Sequence, residues 1–462
     1  MNTTQSTRSV IVRDKWTSEI IGELPRASEQ DIEKAVAEAD RARKRFWPAH
    51  DRARVLQRAV ALLQERKQAI SDVMRRETGF TIKDVENEFA RALVTMTLCA
   101  QEATRLGGEV IPLDANPGFE QRLAFTIHVP IGIVLAITPF NAPLNTVCHK
   151  IGPALAAGNV VILKPAELTP LTARALVQVL YDAGLPEGYL HILYGSGSEV
   201  GLRLLRDARI GFTTFTGSTE VGAIVKRETG IRPVSLELGS ASVTIVCQDA
   251  DLDKVVRDVS SAGFRKAGQV CTSVQLLYAH ASIERDLAER LVTSVQGLKS
   301  GDPADAATDV GPLISIPAAE HAEALVADAL QAGASAQVGG TRAGTHYMPT
   351  VLYGIEQHMR VAREEIFAPV VGILTFDSLD EAIMLANSSS YGLQAGVYTF
   401  SIATIMRVAK ELEVGGVIIN GTSSTRADAM PYGGMKESGF GKEGPHYAAQ
   451  EMSIERLVML GL

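Results

Sequence analysis

Between residues 131 and 240 the chain alternates repeatedly between short apolar runs and amphipathic helical stretches. Ile133-Val-Leu-Ala-Ile137, Val160-Val-Ile-Leu163, Leu190-His-Ile-Leu193 and residues 212–215 are the runs. Loops and helical patterns over 143–157, 170–183, 198–206 and 219–227 follow them. Strands apolar on both faces and joined through helices predict a parallel sheet covered by helices on each side. Ligands of such sheets lie beyond the carboxyl ends of the strands. The loops 138–142, 164–169, 195–199 and 216–220 are therefore predicted to line one crevice. The length of 462 residues leaves room for a second α/β unit. It is read over about 241–416, with helices at 251–267, 284–298 and 317–332 and a strand at Val370–Phe376.

Before this region come two short strands (10–12 and 19–22), then Ser28 with Asp31 as a capping box opening a helix. Residues 29–46, 51–77 and 82–106 read as charged, solvent-faced helical covers. After Pro117-Gly118 the stretch 121–129 alternates like a strand, and the chain ends in the apolar strand 454–460. Both would leave unprotected edges in an isolated chain, so 454–460 is predicted to pair with 121–129 of a neighbouring subunit in a homo-oligomer, a dimer or tetramer. A formal charge of −8 argues against a nucleic-acid partner. No apolar stretch reaches the ~18 residues of a membrane span. Residues 1–10 carry no apolar leader, and the four cysteines (99, 148, 247, 271) are spaced for neither a disulfide framework nor a metal site. A cytoplasmic protein without a metal is expected.

Chemistry concentrates at a few places. Cys271 sits among small residues in Ala-Gly-Gln-Val-Cys-Thr-Ser (267–273), unlike the core hydrophobe a lone cysteine usually is. Glu237, in Leu-Glu-Leu-Gly (236–239), supplies a carboxylate. Together they offer a thiolate nucleophile and a base that activates water against a thioester. Asn141 lies between two prolines in Thr138-Pro-Phe-Asn-Ala-Pro143, Lys164 ends an apolar strand, and Gly217-Ser218 leads into a helix N-terminus suited to phosphate. Taken singly, these read as a turn asparagine, a solvated lysine and a weak glycine motif.

Pro-Phe-Asn-Ala-Pro, Leu-Lys-Pro-Ala-Glu (163–167), Phe-Thr-Gly-Ser-Thr-Glu-Val-Gly (215–222), Leu-Glu-Leu-Gly, Gly-Gln-Val-Cys-Thr, Glu-Glu-Ile-Phe-Ala-Pro (364–369) and Pro-Tyr-Gly-Gly-Met-Lys-Glu-Ser-Gly (431–439) follow one another in this order. The chain thereby resembles the aldehyde dehydrogenase superfamily over roughly 10–460. The resemblance implies an α/β fold with a Rossmann-like cofactor domain (1–116 and 131–240), an α/β catalytic domain (241–440) and a small β oligomerisation element (117–130 and 447–462). It implies Cys271 as nucleophile, Asn141 with the Cys271 N–H as oxyanion hole, and Glu237 as the base that hydrolyses the thioester. The implied cofactor is NAD or NADP. Its site comprises Ile137, Thr138, Pro139, Phe140, Lys164, Ala166, Glu167, Gly197, Gly201, Phe215, Gly217, Ser218, Val221, Leu238, Gly239, Glu365 and Phe367. Glu167, beside the 2′ position of the ribose, favours NAD by repelling a 2′-phosphate.

Two departures from the family pattern stand out. Ala368 replaces a glycine, and Met452-Ser-Ile454 stands where many relatives read Met-Thr-Glu, so an accessory glutamate is expected to be missing there. Arg91, Thr95, Ala142, Thr146, His149, Val270, Thr272, Arg426 and Tyr432, most of them polar, are expected to face the substrate. They suggest a short oxygenated or anionic aldehyde of the lactaldehyde, glyceraldehyde-phosphate, phosphono-aldehyde or semialdehyde type. An aromatic semialdehyde, or transfer of the acyl group to coenzyme A, are the alternatives within enzymes, and a non-catalytic binding protein is the alternative outside them.

Overall fold

A computed structural model describes residues 9–461. The N-terminal segment read above as lacking a leader lies mostly outside them. Two parallel-dominated sheets form the frame. The first has six strands in the order Gly439–Phe440, Val234–Glu237, Ile210–Thr216, Ile133–Ile137, Val160–Lys164 and Leu190–Ile192. All are parallel except the short Gly439–Phe440, which returns from the end of the chain to pair with Val234–Glu237. Ile133–Ile137 and Val160–Lys164 are buried at every residue, as strands covered on both faces must be.

The second sheet has seven strands: Ser335–Val338, Thr350–Tyr353, Val370–Phe376, Leu276–His280, Val243–Val246, Gln394–Tyr398 and Gly416–Ile419. Only Ser335–Val338 runs antiparallel to its neighbour. Each sheet has its own hydrophobic core. The first draws on residues from Ile32 to Leu238 and adds Ala448 and Met452; the second runs from Ala241 to Leu412. The change of core falls next to Gly239.

Several elements differ from the sequence reading. The long helical stretch 51–77 is two helices, Ala49–Glu65 and Lys67–Thr78, broken at Arg66 (φ −99°, ψ 11°). The stretch 198–206 begins as one wide turn, with the Gly201 N–H donating to Ser196 O at 3.3 Å, and becomes α-helical at Leu202–Leu205. The helix expected over 251–267 ends at Ala262, because Lys266 and Ala267 adopt left-handed conformations (φ 52° and 53°).

The helix Ile82–Glu102 is no solvent-faced cover. Asp84 and Glu88 are buried, and both reach the loop that carries Cys271. The C-terminal strand Ser453–Gly461 pairs antiparallel with Arg122–Pro130, as its pattern suggested, but within the same chain. The expected pairing across subunits is thus corrected. Residues that one chain can bring together need no partner for these backbone groups. Val110–Ile111 completes this three-stranded arm.

Candidate active site

The carboxyl ends of Ile133–Ile137, Val160–Lys164, Ile210–Thr216 and Val234–Glu237 open into one cavity of about 520 Å³, which also receives Cys271, Glu365 and Tyr432. The loops expected to line one crevice do so through Thr138–Ala142, Lys164, Ala166, Gly197 and Thr216–Ser218.

The Cys271 loop is held from several sides. Gly268 (φ +71°) passes so close to Ala368 that an added Cβ would lie 2.0 Å from the Ala368 oxygen, so only glycine fits. The buried Lys266 bridges Glu88 at 2.7 Å and donates to the Asn141 carbonyl at 2.9 Å. Asn141 Nδ2 donates to Gln269 O at 2.8 Å, which orients the amide and leaves its second hydrogen for the cavity. Cys271 Sγ lies 3.0 Å from Tyr432 Oη. Burial pushes the thiol up, while the Tyr432 hydroxyl and the Arg426 cation pull it back.

Glu237 is buried, and among the described residues neither of its oxygens has a hydrogen-bond partner. Burial first, then the neighbouring Glu443, pushes its carboxyl well above the usual range; Lys150 and Arg426 oppose this. Glu443 is the reverse case. It is equally buried but accepts from Lys150 Nζ at 3.1 Å and Arg426 Nη2 at 2.8 Å, and these cations hold it far below the carboxylate range. Two neighbouring carboxyls driven in opposite directions suit one to gain and lose a proton while the other stays charged. The sequence reading missed Glu443 and expected a second glutamate near the site to be absent. The structure brings one from Gly-Lys-Glu (441–443), a stretch with no motif of its own.

On the cofactor side, Lys164 Nζ donates among the described residues only to Pro165 O, and burial lowers it to about 8. Gly217 is required because a Cβ there would meet the Phe215 ring at 2.5 Å. Ser218 caps the helix Thr219–Thr229, whose first N–H groups face the cavity end carrying Val221. Glu365 accepts the Ser240 N–H at 2.9 Å, and burial raises it to about 7. Phe367 is left-handed (φ 49°) and packs edge-on to Phe140. Leu238 and Gly239 line the same wall.

Glu167 and Gly201 do not line the cavity. Gly201 lies behind Lys164, and Glu167 is drawn 2.8 Å from Arg26, which also binds Glu199 at 2.8 Å. The groups that do line the cavity fit a dinucleotide: Lys164 for a ribose hydroxyl, a helix N-terminus for pyrophosphate and the Glu365 carboxyl for the other ribose.

On the substrate side, Arg91, Ala142, Thr146, Val270, Thr272, Arg426 and Tyr432 line the cavity as expected. Thr95 and His149 do not. Thr95 donates to Asn145 Oδ1 at 2.7 Å, and His149 lies 2.9 Å from Asp428, both buried behind the wall where they position Asp428. A polar recess of about 280 Å³ adjoins the cavity and shares Arg91, Arg265 and Arg426 with it. Two of these arginines have carboxylate partners, Arg91 in Asp428 and Arg426 in Glu443. Arg265, which the sequence reading passed over, forms no ion pair among the described residues and bonds only Ser424.

A parallel-sheet cofactor cleft facing a cysteine, an amide donor and an unpaired carboxyl defines a class of oxidoreductases that work on carbonyl groups. Residues 2–458 match the model of the aldehyde dehydrogenase family, and the chain belongs to that family. It is similar to a 3-sulfolactaldehyde dehydrogenase of Priestia aryabhattai, with 45% identity over 98% of this chain and 94% of the relative. Its structure is similar to that of aldehyde dehydrogenase 21 from Physcomitrella patens in complex with the product succinate (TM-score 0.96, 35% identity, 99% and 96% of the two chains). It is also similar to glyceraldehyde-3-phosphate dehydrogenase from Methanocaldococcus jannaschii complexed with NADP (TM-score 0.95, 34% identity, 99% and 100%). The protein is accordingly an enzyme that oxidises an aldehyde to the acid with a nicotinamide cofactor. Among the described residues no helix is long and apolar enough to cross a membrane.

Proposed function

We propose that the enzyme oxidises a short anionic aldehyde to the free acid, with Cys271 as nucleophile. Cys271 Sγ attacks the carbonyl carbon. The second Asn141 amide hydrogen and the Cys271 N–H hold the alkoxide that forms. A bound nicotinamide would accept the hydride that leaves this carbon. Glu237, once deprotonated, draws a proton from water, and that water cleaves the thioester. The lack of any partner for Glu237 supports this assignment, since a hydrogen-bonded carboxylate would be a poorer base. A carboxyl that lines the cavity beside Cys271 supports hydrolysis over transfer to coenzyme A.

The substrate class rests on Arg265. Arg265 is half-buried and lines the cavity without a carboxylate partner among the described residues, so its charge is left for an anionic substrate group. The acids and aldehydes named for the relatives (sulfolactaldehyde, succinate) carry such a group. A panel of short aldehydes bearing sulfonate, carboxylate, phosphate or no charge tests the reading. Arg265→Met should raise KM for charged aldehydes roughly 10- to 100-fold, the size of a hydrogen bond to a charged group, and leave neutral ones within about threefold. Equal effects on both would refute it.

For the cofactor we propose NAD over NADP through Glu167, with the margin narrowed by Arg26. Residues 1–116 and 131–240 hold the cofactor, 241–440 carry the nucleophile, and 117–130 with 447–462 mediate a homo-oligomer in the cytoplasm. The arm supports this last point by exposing Leu123, Ile127, Ile454 and Leu457.

A further inference from the structure

Tyr432 occupies a position unusual for a pocket-lining aromatic. Its ring is buried, its hydroxyl lies 3.0 Å from Cys271 Sγ, and the Arg426 guanidinium stacks on its face with the carbon 3.7 Å from the ring centre. Both groups are fixed. Tyr432 and Glu443 exchange backbone hydrogen bonds of 3.1 and 2.6 Å, and Glu443 holds the Arg426 guanidinium at 2.8 Å. No other hydrogen bond involves the Tyr432 hydroxyl among the described residues, so its proton is available to the sulfur.

We infer that Tyr432 is a further catalytic residue, a hydroxyl that donates to Cys271 Sγ and stabilises the thiolate before attack, with the Arg426 cation above the ring strengthening the donor. The inference rests on Cys271 being the nucleophile.

The S–H bond breaks and its proton passes to water in the cavity. The Tyr432 O–H bond stays intact and donates to the sulfur lone pair. On attack the C–S bond forms, the carbonyl π pair moves onto oxygen, and the Tyr432 hydroxyl is released from a sulfur that no longer carries charge. Burial and the neighbouring Glu443 push the Glu237 carboxyl up. The charged and titratable groups around the sulfur are Arg426 and Arg265, which favour the thiolate, and Glu237 and Glu365, which oppose it. A hydrogen bond to a charged acceptor is worth roughly a 10- to 100-fold change in equilibrium. The Tyr432 hydroxyl is therefore large enough to decide how much thiolate exists near neutral pH.

Tyr432→Phe keeps the ring, the stacking and the backbone bridge and removes only the donor. The full-length protein is treated with iodoacetamide from pH 5 to 10, and alkylation of Cys271 is followed by mass spectrometry alongside the pre-steady-state burst of reduced cofactor. The expected result is an alkylation midpoint about one to two pH units higher than in the unmodified protein. The burst should be slowed roughly 10- to 100-fold at pH 7, and its rate should still be rising at pH 10. An unchanged alkylation profile overturns the inference, even if turnover falls, because a merely pocket-lining tyrosine would leave the thiol untouched. Cys271→Ala separates the two readings. If it still oxidises aldehydes, the nucleophile assignment fails; if it is inactive and Tyr432→Phe titrates like the unmodified protein, only the role of Tyr432 fails.

Discussion

Glu237 and Glu443 show how little the chemistry of a side chain depends on its type alone. Both are buried glutamates, yet one is pushed up by desolvation and by its neighbour while the other is held down by Lys150 and Arg426. Removing the like charge should lower Glu237. Glu443→Gln is therefore expected to shift the acid limb of the steady-state rate to lower pH, at a stability cost of about 3–5 kcal/mol for breaking a buried ion cluster. An acid limb that stays put or rises would show that Glu443 does not set the proton affinity of Glu237. Arg26 makes a second case. A carboxylate about 4 Å from a phosphate costs about 1–4 kcal/mol, and the partial exposure of both Arg26 and Glu167 favours the lower end. With Arg26→Ala the unneutralised Glu167 should widen the ratio of kcat/KM for NAD over NADP by roughly tenfold; an unchanged ratio would place the pair away from the 2′ position. Cys271 and Glu237 were legible because each sits in a compact motif. Glu443, Arg26 and Arg265 were not, since each acquires its meaning from partners far away in sequence.

At the level of elements, the capping signals read from sequence hold. Ser28 and Asp31 form the reciprocal box at the start of Glu29–Ala42, and the apolar strands of the first sheet lie where their pattern put them. Helix ends were the less legible part. The break at Arg66 has no glycine or proline to announce it, and the left-handed Lys266 is held by tertiary bonds to Asp84 and Glu88. One buried contact between elements carries a pH signature. Glu77, at the end of Lys67–Thr78, accepts the N–H groups of Leu171 and Thr172 at 2.8 Å and so caps the helix Pro170–Asp182. Burial raises its carboxyl from 4.5 to about 7 despite those bonds. The native state therefore binds more protons than the unfolded chain between these values, and stability falls as pH rises through that window. Relative to Glu77→Gln, the unmodified protein should lose about 1.4 kcal/mol per pH unit there. Thermal unfolding of both proteins from pH 4.5 to 8 would give parallel curves if Glu77 were ionised throughout.

Over the whole molecule, the arm is the surface proposed to meet other copies. Ser453–Gly461 has one backbone partner in Arg122–Pro130 and forms the edge of the arm, so a second copy would meet its outer side and the exposed Leu457 and Ile454. Deleting residues 453–462 removes that partner and strips Arg122–Pro130 to an open edge. Monomers or insoluble protein are expected by light scattering and sedimentation; an intact oligomer of unchanged size would show that the arm takes no part. The sequence patterns marked both strands as a pair, but pattern alone carries no information on whether a pair forms in one chain or between two.

The same strand closure also dictates when the enzyme becomes active as it is made. Ser453 meets His128 across a separation of 325 residues, and Gly439–Phe440, Tyr432, Arg426 and Glu443 return from the last part of the chain to finish a cavity begun by Ile133–Ile137. The first sheet can gather its parallel strands while synthesis continues, but it lacks an edge strand, two core side chains and one wall of the site until the final segment leaves the ribosome. A nascent chain stalled short of residue 426 would hold Cys271 and Glu237 without Arg426 and the Tyr432 hydroxyl beside them. Reactivity toward aldehydes is thus expected only once residues 426–443 are in place.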